Sequence, residues 1–276
     1  MKSFYHSFFY KIHVQFIRIL SNFIMFLLSP KRVRILDEEW DYLIILDACR
    51  YDFFKKYNFI KGKLERKVSM GSSTPEWFRK NFERKVDDVV YVTANPYISR
   101  WIEEGKLLQR FFYMEHLWQY EWDEELNSVH PDRVVENVLR LKEKYPDKRM
   151  IIHFLQPHTP FIGETRIPPD GRVSVERRRK AYKDNLILVL KSVKKLIDNL
   201  CGKIIVTADH GECLGEWGLW KHPDNVHVKE LIVIPWLIIN KGKRKIVPKS
   251  IEPPKEKKID EGILTKRLKS LGYYPD

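Results

Sequence analysis

Five short apolar runs, rich in β-branched residues, recur along the 276-residue chain at positions 42–46, 89–92, 150–155, 203–207 and 234–239. Each has the length of one strand and little polar alternation. Between them, apolar residues recur at helical spacing over 50–56, 75–82, 131–145 and about 175–200. A strand that is apolar on both faces has to be covered on both. The alternation therefore specifies an α/β chain with a mostly parallel central sheet flanked by helices on both faces. Sheets of this kind bind ligands beyond the carboxyl ends of their strands, so the polar residues that follow each run carry the functional information.

Three run ends supply such residues. "LIILDACRYD" places Asp47 at a strand edge, with Arg50 and Asp52 entering a helix. "IIHFLQPHTPF" offers His153 and His158, and "IIVTADHGE" offers Asp209 and His210. A fourth element, "MGSSTPEWF", is a turn into a helix that Pro75 starts, with Ser72, Ser73 and Thr74 at the positive end of the helix dipole. Carboxylate oxygen and neutral imidazole nitrogen make a ligand set for Zn²⁺ or Mn²⁺, whereas an all-oxygen cage favours Ca²⁺ or Mg²⁺. Asp47, Asp209 and His210 can converge on one such ion, and a cation beside Ser73 would acidify its hydroxyl into a nucleophile. Plainer roles stand beside these: Asp47 and the three hydroxyls can cap helices, His153 can be a core histidine, Asp52 can answer a helix dipole, and Arg50 divides between bracing and anion binding.

The order of these motifs resembles the alkaline phosphatase superfamily, in its sulfatase-like branch with the phosphoethanolamine and phosphoglycerol transferases. "LDACRYD" is similar to the first metal motif, with Ala48 where sulfatases have a second aspartate, and "TADHGECLGEWGLWKH" follows D-H-G-E-x-L-G-E-x-G and a later histidine. "SSTPEW" resembles the nucleophile motifs C-x-P-S-R and T-x-P, and alignment on Pro75 puts the nucleophile at Ser73. The resemblance implies that Asp47, Ser73, Asp209 and His210 hold the main metal, with Zn²⁺ first and Mn²⁺, Mg²⁺ or Ca²⁺ as alternatives. It gives His158 (in "QPHTPF") and His222 contact with the substrate phosphate or a second ion, and makes Tyr182 and Asn185 positioners of a helix against the site. Arg50 joins His158 and His222 as a substrate-binding candidate. The Ser-Arg of the formylglycine motif is missing after Thr74-Pro75-Glu76-Trp77. The expected activity is hydrolysis or transfer of a phosphate ester through a phosphoserine, with sulfate-ester hydrolysis or a non-catalytic docking protein as alternatives. The substrate is a small-molecule or a lipid- or glycan-linked ester, and the aromatic-rich residues 97–120 are expected to wall its site.

Composition limits partners. The chain carries a formal charge of +13, without a zinc-finger, zipper or RNA-binding signature, so nucleic acid is not expected. Three cysteines at 49, 201 and 213 form neither a metal knuckle nor a disulfide framework. The first 34 residues hold six basic and no acidic side chains around "FIRILSNFIMFLL". Arg18, Ser21 and Asn22 interrupt that run, so a spanning helix is not expected, while contact with an anionic membrane surface or packing on the domain is. The expected organisation is a basic amphipathic segment at 1–35, a catalytic domain at 36–240 and a peripheral basic extension at 241–276. The expected location is cytoplasmic, with peripheral membrane contact.

Overall fold

A computed structural model describes residues 8–103, 110–167, 173–244, 252 and 258–271. Seven strands form one sheet: β1 Tyr42–Leu46, β2 Lys63–Val68, β3 Val86–Thr93, β4 Phe111–His116, β5 Arg149–Phe154, β6 Gly202–Thr207 and β7 Val233–Lys241. Their order is β2-β7-β6-β1-β5-β3-β4. The stretch β6-β1-β5-β3-β4 is parallel throughout, and β7 runs antiparallel to both β6 and β2. The mostly parallel α/β sheet expected from the sequence is thus the fold. All five residues of β1 are buried, which requires cover on both faces.

Eight helices are present among the described residues: α1 Phe8–Leu28, α2 Tyr51–Tyr57, α3 Thr74–Asn81, α4 Pro96–Glu103, α5 Pro131–Lys144, α6 Val175–Asp198, α7 Lys229–Ile232 and α8 Glu261–Ser270. The amphipathic α6 buries Leu186, Val189, Leu190, Val193 and Leu196, and α5, which packs against it, buries Val134, Val138 and Leu141. Ser174 caps α6 by accepting from Arg177 N.

Three sequence expectations need correction here. Residues 97–120 were read as a substrate wall, but 111–116 are strand β4, and Phe111, Tyr113 and fully buried Trp118 belong to the main core; 104–109 lie outside the described residues. Strand β2, "KLERKV", was not expected at all: it is an edge strand, paired on one side only, with partly exposed charged side chains. The closing helix α8 is not peripheral, because Leu264 and Leu268 enter the main core.

Candidate active site

Strand β1 lies between β6 and β5, so its carboxyl end is the centre of the edge that the sequence marked. Asp47 follows β1, Asp209 and His210 follow β6, and His158 follows β5. The three loops are laced together: Asp47 N donates to Phe154 O (3.2 Å), His158 N to Asp47 O (3.2 Å), and Ala48 N to Asp209 Oδ1 (3.1 Å). Ala48 adopts a left-handed φ of 56°, which lets the chain turn sharply after Asp47; for a non-glycine residue that costs about 1–2 kcal/mol. Gly211 is required by close approach, since a Cβ there would strike the carbonyl of Glu230. Gly71 is held likewise against the backbone of Trp77 at the start of α3.

Asp47, Asp209 and His210 are fully buried, and each offers a ligand atom within 4.8 Å of the others. His210 Nδ1 donates to Gly211 O (2.7 Å), which leaves the Nε2 lone pair facing Asp209 Oδ2 (3.3 Å) and Asp47 Oδ1 (3.7 Å). A second group is made by His158, Glu212 and His222. His158 is oriented in the same way, with Nδ1 donating to Thr159 O (2.6 Å). The rings of His210 and His222 lie 4.5 Å apart and those of His158 and His222 5.0 Å apart, so the two groups are contiguous.

The electrostatics follow from burying carboxylates and imidazoles together at one strand edge. Burial pushes the Asp47 carboxyl well above its ordinary value, and the neighbouring Asp209 charge pushes it further. Burial also opposes ionisation of Asp209, but His210 and His153 and hydrogen bonds from Thr74 and Ala48 N hold it below its ordinary value. Burial pushes His158 down to about 3 and His153 down to about 4, so both imidazoles are neutral and able to ligate. Asp47 Oδ1, Ser73 Oγ, His153 Nε2, Glu212 Oε1 and His222 Nδ1 are buried without a hydrogen-bond partner. Buried polar atoms are almost always paired, so a concentration of orphans in one place marks a binding site. Carboxylate oxygen, imidazole nitrogen and hydroxyl fit a divalent cation of the Zn²⁺ or Mn²⁺ kind.

The hydroxyl at the cluster is not the one chosen by alignment on Pro75. Thr74 Oγ1 donates to Asp209 Oδ2 (2.7 Å) and lies 3.2 Å from His210 Nε2. Ser73 is extended at the N-cap of α3, with a buried Oγ that makes neither a capping bond nor any other hydrogen bond. Arg50, expected among the substrate ligands, has protein partners instead: Nε and Nη2 grip Asp52 (2.9 and 2.7 Å), and Nη1 donates to Glu212 O (3.2 Å) and Glu216 Oε1 (2.7 Å). It braces the loops behind the site.

Two positioning residues come out of α6. Tyr182 Oη donates to Ala48 O (2.6 Å) and accepts from Arg50 N (2.9 Å), which fixes the turn after Asp47. Asn185 Oδ1 accepts from Ile162 N and Gly163 N, while its Nδ2 donates to the carbonyls of Pro157, His158 and Pro160. Sequence reasoning named Thr74 among three hydroxyls but gave the role to Ser73, and it assigned no role to Glu212 or Asn95. Glu212 stood inside the quoted D-H-G-E and was legible there. Asn95, whose Nδ2 donates to Asp47 Oδ2 (2.6 Å), had no sequence signal because it follows β3 in a turn without a motif.

No family model matches the sequence, and no curated protein matches it significantly. Solved structures do. The C-terminal periplasmic domain of phosphoethanolamine transferase EptC from Campylobacter jejuni superposes with a TM-score of 0.53 at 14% identity, over 72% of this chain and 78% of that one. The C-terminal periplasmic domain of EcEptC from Escherichia coli, in complex with Zn, gives 0.51 at 14% identity, over 73% and 72%. The chain shares the fold of these transferase domains. An integral membrane protein, the lipooligosaccharide phosphoethanolamine transferase A of Neisseria meningitidis, shares that fold with a TM-score of 0.54 at 13% identity, over 75% of this chain and 49% of that one.

The cytoplasmic location expected from the sequence does not stand. Helix α1 has 21 residues with a mean hydropathy of 1.4, long and apolar enough to cross a membrane, and the matched structures are described as periplasmic domains or an integral membrane protein. The polar residues read as interruptions do not shorten this helix.

Proposed function

We propose that this protein is a metal-dependent enzyme that hydrolyses or transfers a phosphate ester through a covalent intermediate on Thr74. The observation that carries the reading is the meeting of Asp47, Asp209, His210 and the Thr74 hydroxyl at one buried strand edge, beside Glu212 and His222, whose Oε2 and Nδ1 lie 3.4 Å apart. Asp47, Asp209 and His210 would hold one ion, and His158, Glu212 and His222 a second ion or the phosphoryl oxygens. A bound divalent cation supplies charge neutralisation at the attacking and non-bridging oxygens.

The residues divide the work as follows. Thr74 Oγ1 is held against Asp209 Oδ2 (2.7 Å) and His210 Nε2 (3.2 Å), so it would be acidified beside a divalent cation held by those residues, and Oγ1 could attack phosphorus as its proton passes to water. The Oγ1–P bond forms, the bond from phosphorus to the leaving oxygen breaks, and that oxygen takes a proton from solvent. Water or an acceptor hydroxyl then attacks the phosphothreonine and gives up its proton to solvent, the Oγ1–P bond breaks, and Oγ1 takes a proton from solvent. Ser73 Oγ, free of any protein hydrogen bond, is available to donate to a phosphoryl oxygen. His153, Trp77 and Phe154 are buried around the strand ends and exclude water, which strengthens every charge interaction inside. The zinc complex of an E. coli relative by fold supports Zn²⁺, and the transferase names of the structural relatives support a lipid-linked ester.

The test compares aryl phosphate, phosphodiester and aryl sulfate in parallel, with and without chelator. Thr74→Ala should lower kcat by at least about 10³-fold on the preferred phosphate substrate, whereas Ser73→Ala should cost about 10-fold. A Thr74→Ala protein with full turnover would reject the assignment, and a preference for aryl sulfate would move the chain to the sulfatase alternative.

A further inference from the structure

We infer that α1 lies along the surface of an anionic bilayer and holds the mouth of the candidate site against it. The helix has two unlike faces. Its inner stripe is bonded to the loop that carries His222: His13 Nε2 contacts Trp217 O (2.7 Å), Arg18 Nε donates to Asp224 O (3.1 Å), Asn22 Nδ2 donates to Asn225 O (3.1 Å), and Ser21 Oγ accepts from His227 N (3.1 Å). Ile17 packs beside them on Leu219, Val226 and Leu231. The outer stripe is apolar and exposed, with Phe9 80%, Phe16 62%, Ile19 62%, Phe23 58% and Phe26 76% accessible. With Ile12, 51% accessible, these positions follow one another at three or four residues, so they form a single ridge. A continuous apolar ridge along 21 residues exceeds what a soluble monomer leaves in water, and something covers it.

Charge and attachment choose the cover. Residues 1–36 contain no acidic side chain, the helix carries Lys11 and is followed by Lys31, while Arg32 and Arg34 turn back onto Ser69 O, Met70 O and Glu83 of the domain. A second copy or a partner helix would meet no negative charge there, whereas an anionic bilayer supplies both hydrocarbon and opposite charge. The helix is long enough to span, yet its polar anchors at 13, 18, 21 and 22 tie it lengthwise to the domain. Spanning in that state would drag the 217–227 loop and its open backbone groups into hydrocarbon, which is forbidden energetically. The docked helix therefore lies in the interfacial plane, with the ridge in the headgroup boundary. Trp217, half exposed on the same loop, sits where an interfacial tryptophan belongs. If the phosphate-ester chemistry proposed above holds, the His222 loop at this height would receive esters carried by membrane lipids.

The test uses the full chain, held in mild detergent and mixed with phosphatidylcholine vesicles or with phosphatidylcholine–phosphatidylglycerol vesicles. Sedimentation should show binding to the mixed vesicles, at least about 10-fold tighter than to the neutral ones and weakened by salt. Phe16→Asp with Phe23→Asp, two positions on the outer ridge, should abolish binding without changing the circular dichroism spectrum. In a Cys201→Ser background, Phe9→Cys and Leu28→Cys should both be shielded from a water-soluble thiol reagent by vesicles added from outside. Shielding of neither, or labelling of the two from opposite sides of a sealed vesicle, overturns the in-plane placement. Equal binding by the Asp variant, or a dimer that this variant dissolves without any vesicle binding, overturns the lipid occupant. Because binding is read by sedimentation, a failure here is distinct from a failure of the catalytic reading.

Discussion

His227 Nε2 lies 2.9 Å from Glu76 Oε1, and this contact joins the turn that offers Thr74 to the loop that carries His222. Glu76 is buried in α3 and collects further hydrogen bonds from Ser72 N (2.8 Å), Ser72 Oγ (3.0 Å) and Lys80 Nζ (2.5 Å). Burial opposes its ionisation, but His227, Lys80 and the Ser72 amide overcome that and hold the carboxyl far below its ordinary range. Ser72 Oγ in turn accepts from Val226 N (3.3 Å), so both strands of the connection pass through one carboxylate. Glu76→Gln, which keeps the shape and loses the charge, should lower kcat about 10-fold with little change in KM, because the two halves of the site drift relative to each other. Glu76→Ala should also cost about 2–4 kcal/mol of stability, read by urea unfolding, since it strands several buried donors. Unchanged kcat in the Gln variant would deny Glu76 this positioning role.

Asn185 satisfies five backbone groups of the 157–163 loop with one side-chain amide. Its loss should cost about 2–4 kcal/mol, more than a typical surface change. Asn185→Ala is expected to lower kcat further than it lowers metal content, since the loop carries His158 but not the Asp47 group. Asn185→Asp should fail almost as badly: a carboxylate keeps the two acceptor contacts and forfeits all three donor contacts to carbonyls.

The strand-end logic made Asp47, Asp209 and His210 legible, because continuous apolar runs fix a parallel sheet and the sheet fixes where its ligands sit. The choice of hydroxyl was not legible. Which of Ser73 and Thr74 faces the cluster depends on where α3 begins, and helix starts are uncertain by a residue or two in any sequence reading. Strand β2 was hidden for a similar reason: as an edge strand with charged positions it lacks the apolar run that betrayed its neighbours. In α1 the sequence showed Arg18, Ser21 and Asn22 as interruptions of an apolar run. Folding gathers all three on the inner face and leaves the outer ridge unbroken, which only three-dimensional placement reveals.

Acid stability should depend on Asp184. Burial opposes its ionisation, but Thr165 Oγ1 (2.6 Å), Lys183 Nζ (3.1 Å) and Lys180 Nζ (3.2 Å) hold the carboxyl below its ordinary 3.8. A carboxyl depressed by folding binds its proton more weakly in the native state than in the unfolded one. Its contribution is therefore fully present above pH 3.8 and is lost as pH falls toward the lower native value. Urea midpoints measured from pH 7 to pH 3 should fall less steeply below pH 4 for Asp184→Asn than for the wild type. Parallel slopes would show that the lysines contribute nothing to Asp184 in the folded protein.

The two buried carboxylates make the sharpest prediction, because metal and mutation should act in opposite directions on one side chain. Without a cation, Asp47 is raised by burial and by Asp209, so Asp47→Asn should leave the chelated protein as stable as the wild type or more so. With Zn²⁺ at about 100 times its Kd, the wild type should gain about 2.7 kcal/mol, an increase in Tm of about 5–10 °C. Asp47→Asn should lose that gain together with one equivalent of bound metal. Glu212→Gln, in the second group of ligands, should keep it. Thermal unfolding with elemental analysis of the same samples measures both quantities. A wild type indifferent to zinc and chelator, or an Asp47→Asn protein that still shows the full thermal shift, would mean that these carboxylates share no ion.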